Sequence, residues 1–261
     1  MTSNPAPGAR AMKDQVVLIT GASRGIGRAI ALRLAREGPA HIVVGYFSDY
    51  QAATRTVSDL AALGVEASPA RVDVGDKDLV ERLFTDVGER LGRLDVFVSN
   101  AARTALGPAV ELSPHAWQRI MDINARAFLL GSRYAAALMK PNGGGRIIAL
   151  SSLGARFYIP GYAALGAAKA TIETLVRYLA VELAPWGINV NVVSGGFIDT
   201  ETMRHLPDYE ALTKQLVART PGGRLGRPED LAGVVALLCS PDADWIRGQT
   251  LFADGGYSLS L

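Results

Sequence analysis

The chain is poor in the side chains that metal and disulfide chemistry require. Of its 261 residues, one is cysteine and three are histidine. A lone Cys239 excludes an internal disulfide and fits a reducing compartment. Set in the apolar run 234–239, it reads as a buried thiol rather than a nucleophile. His41, His115 and His205 are scattered without ligand-like spacing, so no metal site is expected. No apolar run approaches the roughly 20 residues of a membrane span. The formal net charge is +2 and like charges form no run, which leaves no electrostatic footprint for nucleic acid. The opening MTSNPAPGARAMK lacks the apolar centre of a signal peptide, and residues 1–12 read as a flexible tail. These absences together predict a soluble, cytoplasmic protein.

What the chain does have is alternation. Short runs rich in Val, Ile and Leu (15–20, 41–46, 65–74, 94–99, 146–150, 188–193 and 250–252) alternate with amphipathic stretches. The helical stretches span 24–37, 49–63, 77–91, 114–139, 162–184 and 228–238, and Ser113 and Pro114 supply N-cap and first-turn residues for the fourth. Near-continuous apolar strands alternating with helices predict a single α/β domain over 13–261, with a doubly wound, parallel, seven-stranded sheet covered on both faces. The least regular stretch, 199–226, is rich in Thr, Pro and Gly beyond the sixth strand. It reads as a substrate lid or as an ordinary surface connection.

Directly after the first strand the chain reads Thr20-Gly21-Ala22-Ser23-Arg24-Gly25-Ile26-Gly27 and enters a helix. Glycines there permit a tight turn and bring backbone N–H groups to a diphosphate at the helix N-terminus, so the segment predicts nucleotide-cofactor binding. An acid ending the second strand would bind a ribose 2′-hydroxyl and repel a 2′-phosphate. Here that end reads Tyr46-Phe47-Ser48, with Arg24 available to a phosphate, which favours NADPH over NADH.

This glycine spacing, together with a series of motifs further along the chain, resembles the classical-type short-chain dehydrogenases/reductases across residues 14–257. The resemblance is carried by Asp73-Val74, Asn100-Ala101, Asn124, Ser151-Ser152, the helix with Lys169, Gly195-Gly196-Phe197-Ile198-Asp199-Thr200, and Asp254-Gly255-Gly256. It implies a Rossmann fold, a nicotinamide cofactor and a homo-oligomer, commonly a tetramer. Asp73 and Val74 would lie at adenine, and Ser48, Asn100 and Ala101 along the adenosine half. Gly196, Ile198 and Thr200 would hold the nicotinamide half. Departures from the family pattern are Ser99, Ala102, Phe47 and Gly195.

Within the family the stretch GYAALGAAKA is unusual: Tyr162 precedes Lys169 by seven residues, and the position four before Lys169 is Leu165. On a helix both offsets return to one face, and three residues displace the phenol by about 4.5 Å along the axis. The shorter spacing suits a carbonyl carbon whose own oxygen takes the proton. The longer spacing suits hydride delivery further from that oxygen, at an α,β-unsaturated thioester. The run SSLGARFYIPGYAALGAAKATIETLVRYLAVEL is similar to NADPH-dependent enoyl-acyl carrier protein reductases of type III. That resemblance implies reduction of enoyl thioesters of acyl carrier protein or coenzyme A, in fatty-acid or polyketide synthesis. Tyr162 would stabilise the enolate and Lys169 would bind the nicotinamide ribose and favour ionisation of the phenol. Ser152 would assist at the carbonyl, and Asn124 would position Lys169 through a backbone or water contact. Other readings stay open: Tyr162 as a packing aromatic, Tyr158 as the phenol, Ser151 as a loop support, a ketoreductase, and a non-catalytic cofactor-binding regulator. Trp117, Trp186 and Trp245 read as packing residues.

Overall fold

A computed structural model describes residues 12–204 and 208–260. Seven strands lie in one parallel sheet: β1 Val16–Ile19, β2 His41–Tyr46, β3 Glu66–Arg71, β4 Val96–Ser99, β5 Gly145–Ser152, β6 Ile188–Gly195 and β7 Thr250–Ala253. Their spatial order is β3-β2-β1-β4-β5-β6-β7. Chain order reverses between β1 and β4, and this switch point opens a crevice beyond the carboxyl ends of the strands.

The connections are α1 Gly25–Ala35, α2 Tyr50–Ala62, α3 Lys77–Leu91, α4 Pro114–Met121, α5 Ala127–Met139, α6 Ala163–Glu182, α7 Glu201–Arg204, α8 Tyr209–Ala218 and α9 Pro228–Cys239. One buried cluster joins α1 and α9 to one face of the sheet through Ile30, Leu34, Val235 and Leu238. On the other face, Phe84, Phe97, Phe128, Ile172 and Val176 join α3, α5 and α6. Every residue of β6 is buried, as expected of a strand covered on both faces. The expected doubly wound, seven-stranded parallel sheet in a single domain is therefore what the chain forms.

Several expectations need correction. The helix expected over 114–139 is interrupted: at Asp122–Arg126 it widens into a π turn, with the Ala127 N–H reaching back five residues to the Asp122 carbonyl. Ser113 does cap α4, its hydroxyl accepting from the Ala116 N–H at 3.1 Å. Ser151 and Ser152 do not come after β5 but end it, in register with Ser194 and Gly195 of β6. Tyr162 is not within α6; it is the residue before its first turn. The irregular stretch 199–226 contains α7 and α8, and residues 205–207, His205 among them, lie outside the described residues. So do residues 1–11 of the expected tail, whereas Met12 is buried and bonds through its N–H to the Glu37 carbonyl. Trp245, expected to pack, is 96% exposed. Cys239 is buried, and burial pushes its thiol up to about 12, as an inert structural thiol requires.

Candidate active site

The segments leaving the carboxyl ends of the strands converge on the crevice. After β1, Gly21 has a left-handed backbone (φ +66°), and a Cβ on Gly27 would lie 2.2 Å from the Gly21 carbonyl oxygen. Only glycine lets α1 begin so close to the turn. Arg24 caps α1 without a side-chain hydrogen bond, and the first turn has no acid. The first N–H groups of α1 therefore face the crevice uncapped, as an anion site requires. Ser23 and Arg24 line a cavity of about 800 Å³ together with Arg28, Arg55 and Glu201.

Asn100 acts on the protein. Its Nδ2 donates to the carbonyls of Thr20 (2.9 Å) and Gly21 (3.0 Å) and so braces the glycine turn. The Thr20 hydroxyl accepts the N–H groups of Asn100 and Ala101, both at 3.1 Å. Sequence reasoning passed over Thr20, although its place directly before Gly21 was the available signal.

A second cavity of about 180 Å³ is lined by Gly21, Phe47, Asp73, Val74, Ala101 and Arg119, among others. Asp73 is held there by Arg119, 2.7 Å away, and by the Gly75 N–H at 2.9 Å. Burial opposes ionisation of Asp73, but these hydrogen bonds and the nearby guanidinium charges outweigh it and hold the carboxyl below its ordinary value. Arg119 was not foreseen, because it meets Asp73 from 46 residues away.

The other end of the crevice lies between β5, β6 and α6. Lys169 is buried, and its Nζ donates to the Leu150 carbonyl at 2.7 Å. Burial pushes it down from its ordinary value to about 8. Asn124 sits in the π turn, where Nδ2 donates to the carbonyls of Ile120 (2.9 Å) and Arg103 (3.0 Å). Its Oδ1 is buried without a partner among the described residues.

Tyr162 is half-buried. Burial raises its phenol above the ordinary value, and the adjacent Ser152 hydroxyl partly offsets that. Ser152 Oγ, itself buried, completes no hydrogen bond of ordinary geometry among the described residues. Leu165 is core, packed with Ile120, Ala125, Ala164 and Ala168. Tyr158, the rival phenol, is 87% exposed. Ser151 bonds to Glu173 at 2.8 Å, which makes it a support.

Beyond β6, Gly196 packs on Asp254, where a Cβ would meet the Asp254 backbone at 2.9 Å. Ile198 is buried and bridges to Gly226. The Thr200 hydroxyl accepts from the Met203 N–H at 3.4 Å and stands at the start of α7. A dinucleotide fits this crevice. The uncapped helix end can take its diphosphate and the smaller cavity its adenine, while Ser152 Oγ and Asn124 Oδ1 are buried without partners among the described residues. Among the described residues, no group of three His, Cys, Asp or Glu could hold a metal.

Fold and site together define a nicotinamide-dependent oxidoreductase, and the chain belongs to the short-chain dehydrogenase/reductase family, on the side of the enoyl reductases. Residues 21–258 match the family described as Enoyl-(Acyl carrier protein) reductase. A 1-cyclohexenylcarbonyl-CoA reductase of Streptomyces collinus is 45% identical over 249 residues, 95% of this chain and 88% of that protein. Among solved structures, a gluconate 5-dehydrogenase from Burkholderia cenocepacia in complex with NADP and tartrate superposes with a TM-score of 0.90. It is 31% identical, over 97% of this chain and 99% of that one. A 7α-hydroxysteroid dehydrogenase complexed with NADH and 7-oxo glycochenodeoxycholic acid superposes with a TM-score of 0.89. It is 30% identical, over 95% and 96% of the two chains.

Proposed function

We propose that the protein reduces the C=C bond of 2-enoyl thioesters, carried on coenzyme A or acyl carrier protein, with NADPH as reductant. The observation that carries this reading is the placement of the phenols. Tyr162, seven residues before Lys169, stands beside Ser152, while the ketoreductase position holds Leu165 in the core. The Streptomyces collinus relative, a reductase of an unsaturated acyl-CoA, supports the same substrate class.

In this reading the Tyr162 O–H donates to the thioester carbonyl oxygen and stabilises the negative charge that develops there. Ser152 directs a second hydrogen bond to the same oxygen. Lys169 binds the nicotinamide ribose hydroxyls, and Asn124 positions Lys169 through a backbone or water contact. Ile198 and Thr200 hold the carboxamide and phosphate ends of the nicotinamide half. NADPH, when bound, supplies the hydride taken up by the β-carbon. The segment 199–226 serves as the substrate lid. The protein works in the cytoplasm as a homotetramer, an assembly that would cover exposed apolar side chains such as Val181 and Trp245. Reaction of a 2-enoyl thioester with NADPH deuterated at C4 tests the chemistry: a saturated thioester labelled at C3 is expected, and an unreduced enoyl thioester, with label entering only the 3-hydroxyacyl product of a parallel 3-ketoacyl reaction, would contradict it.

Preference for NADPH rests on Arg24. It is exposed and lies 3.9 Å from Glu201, and an exposed pair at that distance contributes little to stability. Arg24→Ala is therefore expected to leave the fold intact and to raise the Kd for NADPH about tenfold. NADH binding, measured by the same fluorescence titration, should not change. An equal loss for both cofactors would place Arg24 at the diphosphate instead.

A further inference from the structure

Tyr162 has a positional problem that the usual spacing avoids. A tyrosine four residues before the lysine is held by the helix that carries both. Tyr162 precedes α6, with φ −104° and ψ 8°, and comes directly after Gly161 at φ +70°. Tyr162 joins α6 only as its cap, its carbonyl accepting the Gly166 N–H at 2.8 Å, so the helix fixes its backbone and the ring needs a seat of its own.

The turn Leu153–Ala155 after β5 meets the ring directly. A Cβ on Gly154 would lie 2.4 Å from Tyr162 Cδ1 and 2.6 Å from Cε1, so the ring rests on bare backbone. The first turn of α6 presses on the same spot: a Cβ on Gly166 would lie 2.5 Å from the Gly154 carbonyl oxygen. The turn is fixed from both sides by one buried carboxylate. Glu173, 5% exposed, accepts from Ser151 Oγ through Oε1 at 2.8 Å and from Arg156 Nε through Oε2 at 2.9 Å. Arg156 also packs its guanidinium over the Phe252 ring at 5.0 Å. Glu173 lies one turn beyond Lys169, so α6 carries the lysine and also grips the turn that seats the tyrosine.

We propose that Glu173 and Arg156 are the positioning residues for Tyr162, clamping the Gly154 turn as the seat that sets its phenol. The inference rests on the reading of Tyr162 as the group that meets the thioester carbonyl. A buried carboxylate costs heavily unless it is paired and hydrogen-bonded, and both oxygens of Glu173 are used on this turn.

Three variants test it. Gly154→Ala displaces the ring, Arg156→Ala opens the clamp from its partly exposed side, and Glu173→Gln keeps an acceptor for Arg156 and a partner for Ser151. The first two are expected to lower kcat about 10- to 100-fold, with the NADPH Kd within about twofold of wild type. Glu173→Gln should retain most of kcat. Labelling the eight tyrosines with 3-fluorotyrosine gives a readout that needs no substrate. The 19F signal missing from Tyr162→Phe should shift and broaden in Gly154→Ala and Arg156→Ala, while the others hold. The proposal is overturned if folded Arg156→Ala and Gly154→Ala keep kcat and that signal unchanged, or if NADPH affinity falls as far as kcat. If the wild type reduces no thioester, the functional reading fails, and the fluorine spectra still decide the positioning.

Discussion

Replacing Lys169 with methionine is expected to lower turnover at least about 100-fold, because the group that would hold the nicotinamide ribose is lost. The same change should not weaken the fold at neutral pH. Lys169 is buried, its Nζ bonds to the Leu150 carbonyl, and burial takes its pKa from 10.5 to about 8. The folded protein thus holds this proton less tightly than the unfolded chain does. Below about pH 8 the charged lysine carries its whole cost, and the cost is relieved as pH rises from about 8 towards 10.5. A shift of that size corresponds to something on the order of 3 kcal/mol. Methionine removes the charge but leaves the Leu150 carbonyl unsatisfied, an opposing cost of about 1–3 kcal/mol. Urea unfolding of wild type and variant at about pH 7 and about pH 10 measures the effect. Other titrating groups cancel in the difference, so wild type should gain on the variant as pH rises. A constant difference would show that Lys169 is not desolvated in the free protein.

The second large effect is expected from Tyr162→Phe. The ring keeps its seat on Gly154 and its contacts with the cluster around Leu165, so the fold and the NADPH site remain. In the proposed reaction the lost O–H is the donor to the developing enolate oxygen, and removal of one such donor is expected to lower kcat by about 100- to 1,000-fold. Stopped-flow fluorescence should show unchanged NADPH binding, with the loss confined to the reductive step. Tyr158→Phe is the control: an 87% exposed phenol should be replaceable without effect. Loss of activity in the Tyr158 variant alone would transfer the role to that residue.

Much of this architecture was legible in the sequence for a physical reason. Strands buried on both faces must be apolar throughout, so β1, β2, β4 and β6 announce themselves, and Ser113-Pro114 marks the start of α4. The glycine turn was equally legible, because Gly21 and Gly27 occupy places where a side chain has no room. The π turn was not, since the shift of one hydrogen bond at Asp122–Arg126 leaves no mark on composition. Nor was the exclusion of Tyr162 from α6, which the left-handed backbone of Gly161 imposes. The partners of the site were hidden for another reason. Arg119 meets Asp73, and Arg156 meets Glu173, only after distant segments fold together. Glu173 alone left a trace, as a charge one turn from Lys169 on the buried face of α6.

The most direct test of the central claim is NADPH oxidation by the purified protein, measured in parallel with a 2-enoyl thioester and the matching 3-ketoacyl thioester. Turnover of the enoyl substrate alone is the predicted result, since Leu165 leaves no phenol at the ketoreductase position. Turnover of the 3-ketoacyl substrate alone would contradict the assignment of Tyr162 to C=C reduction.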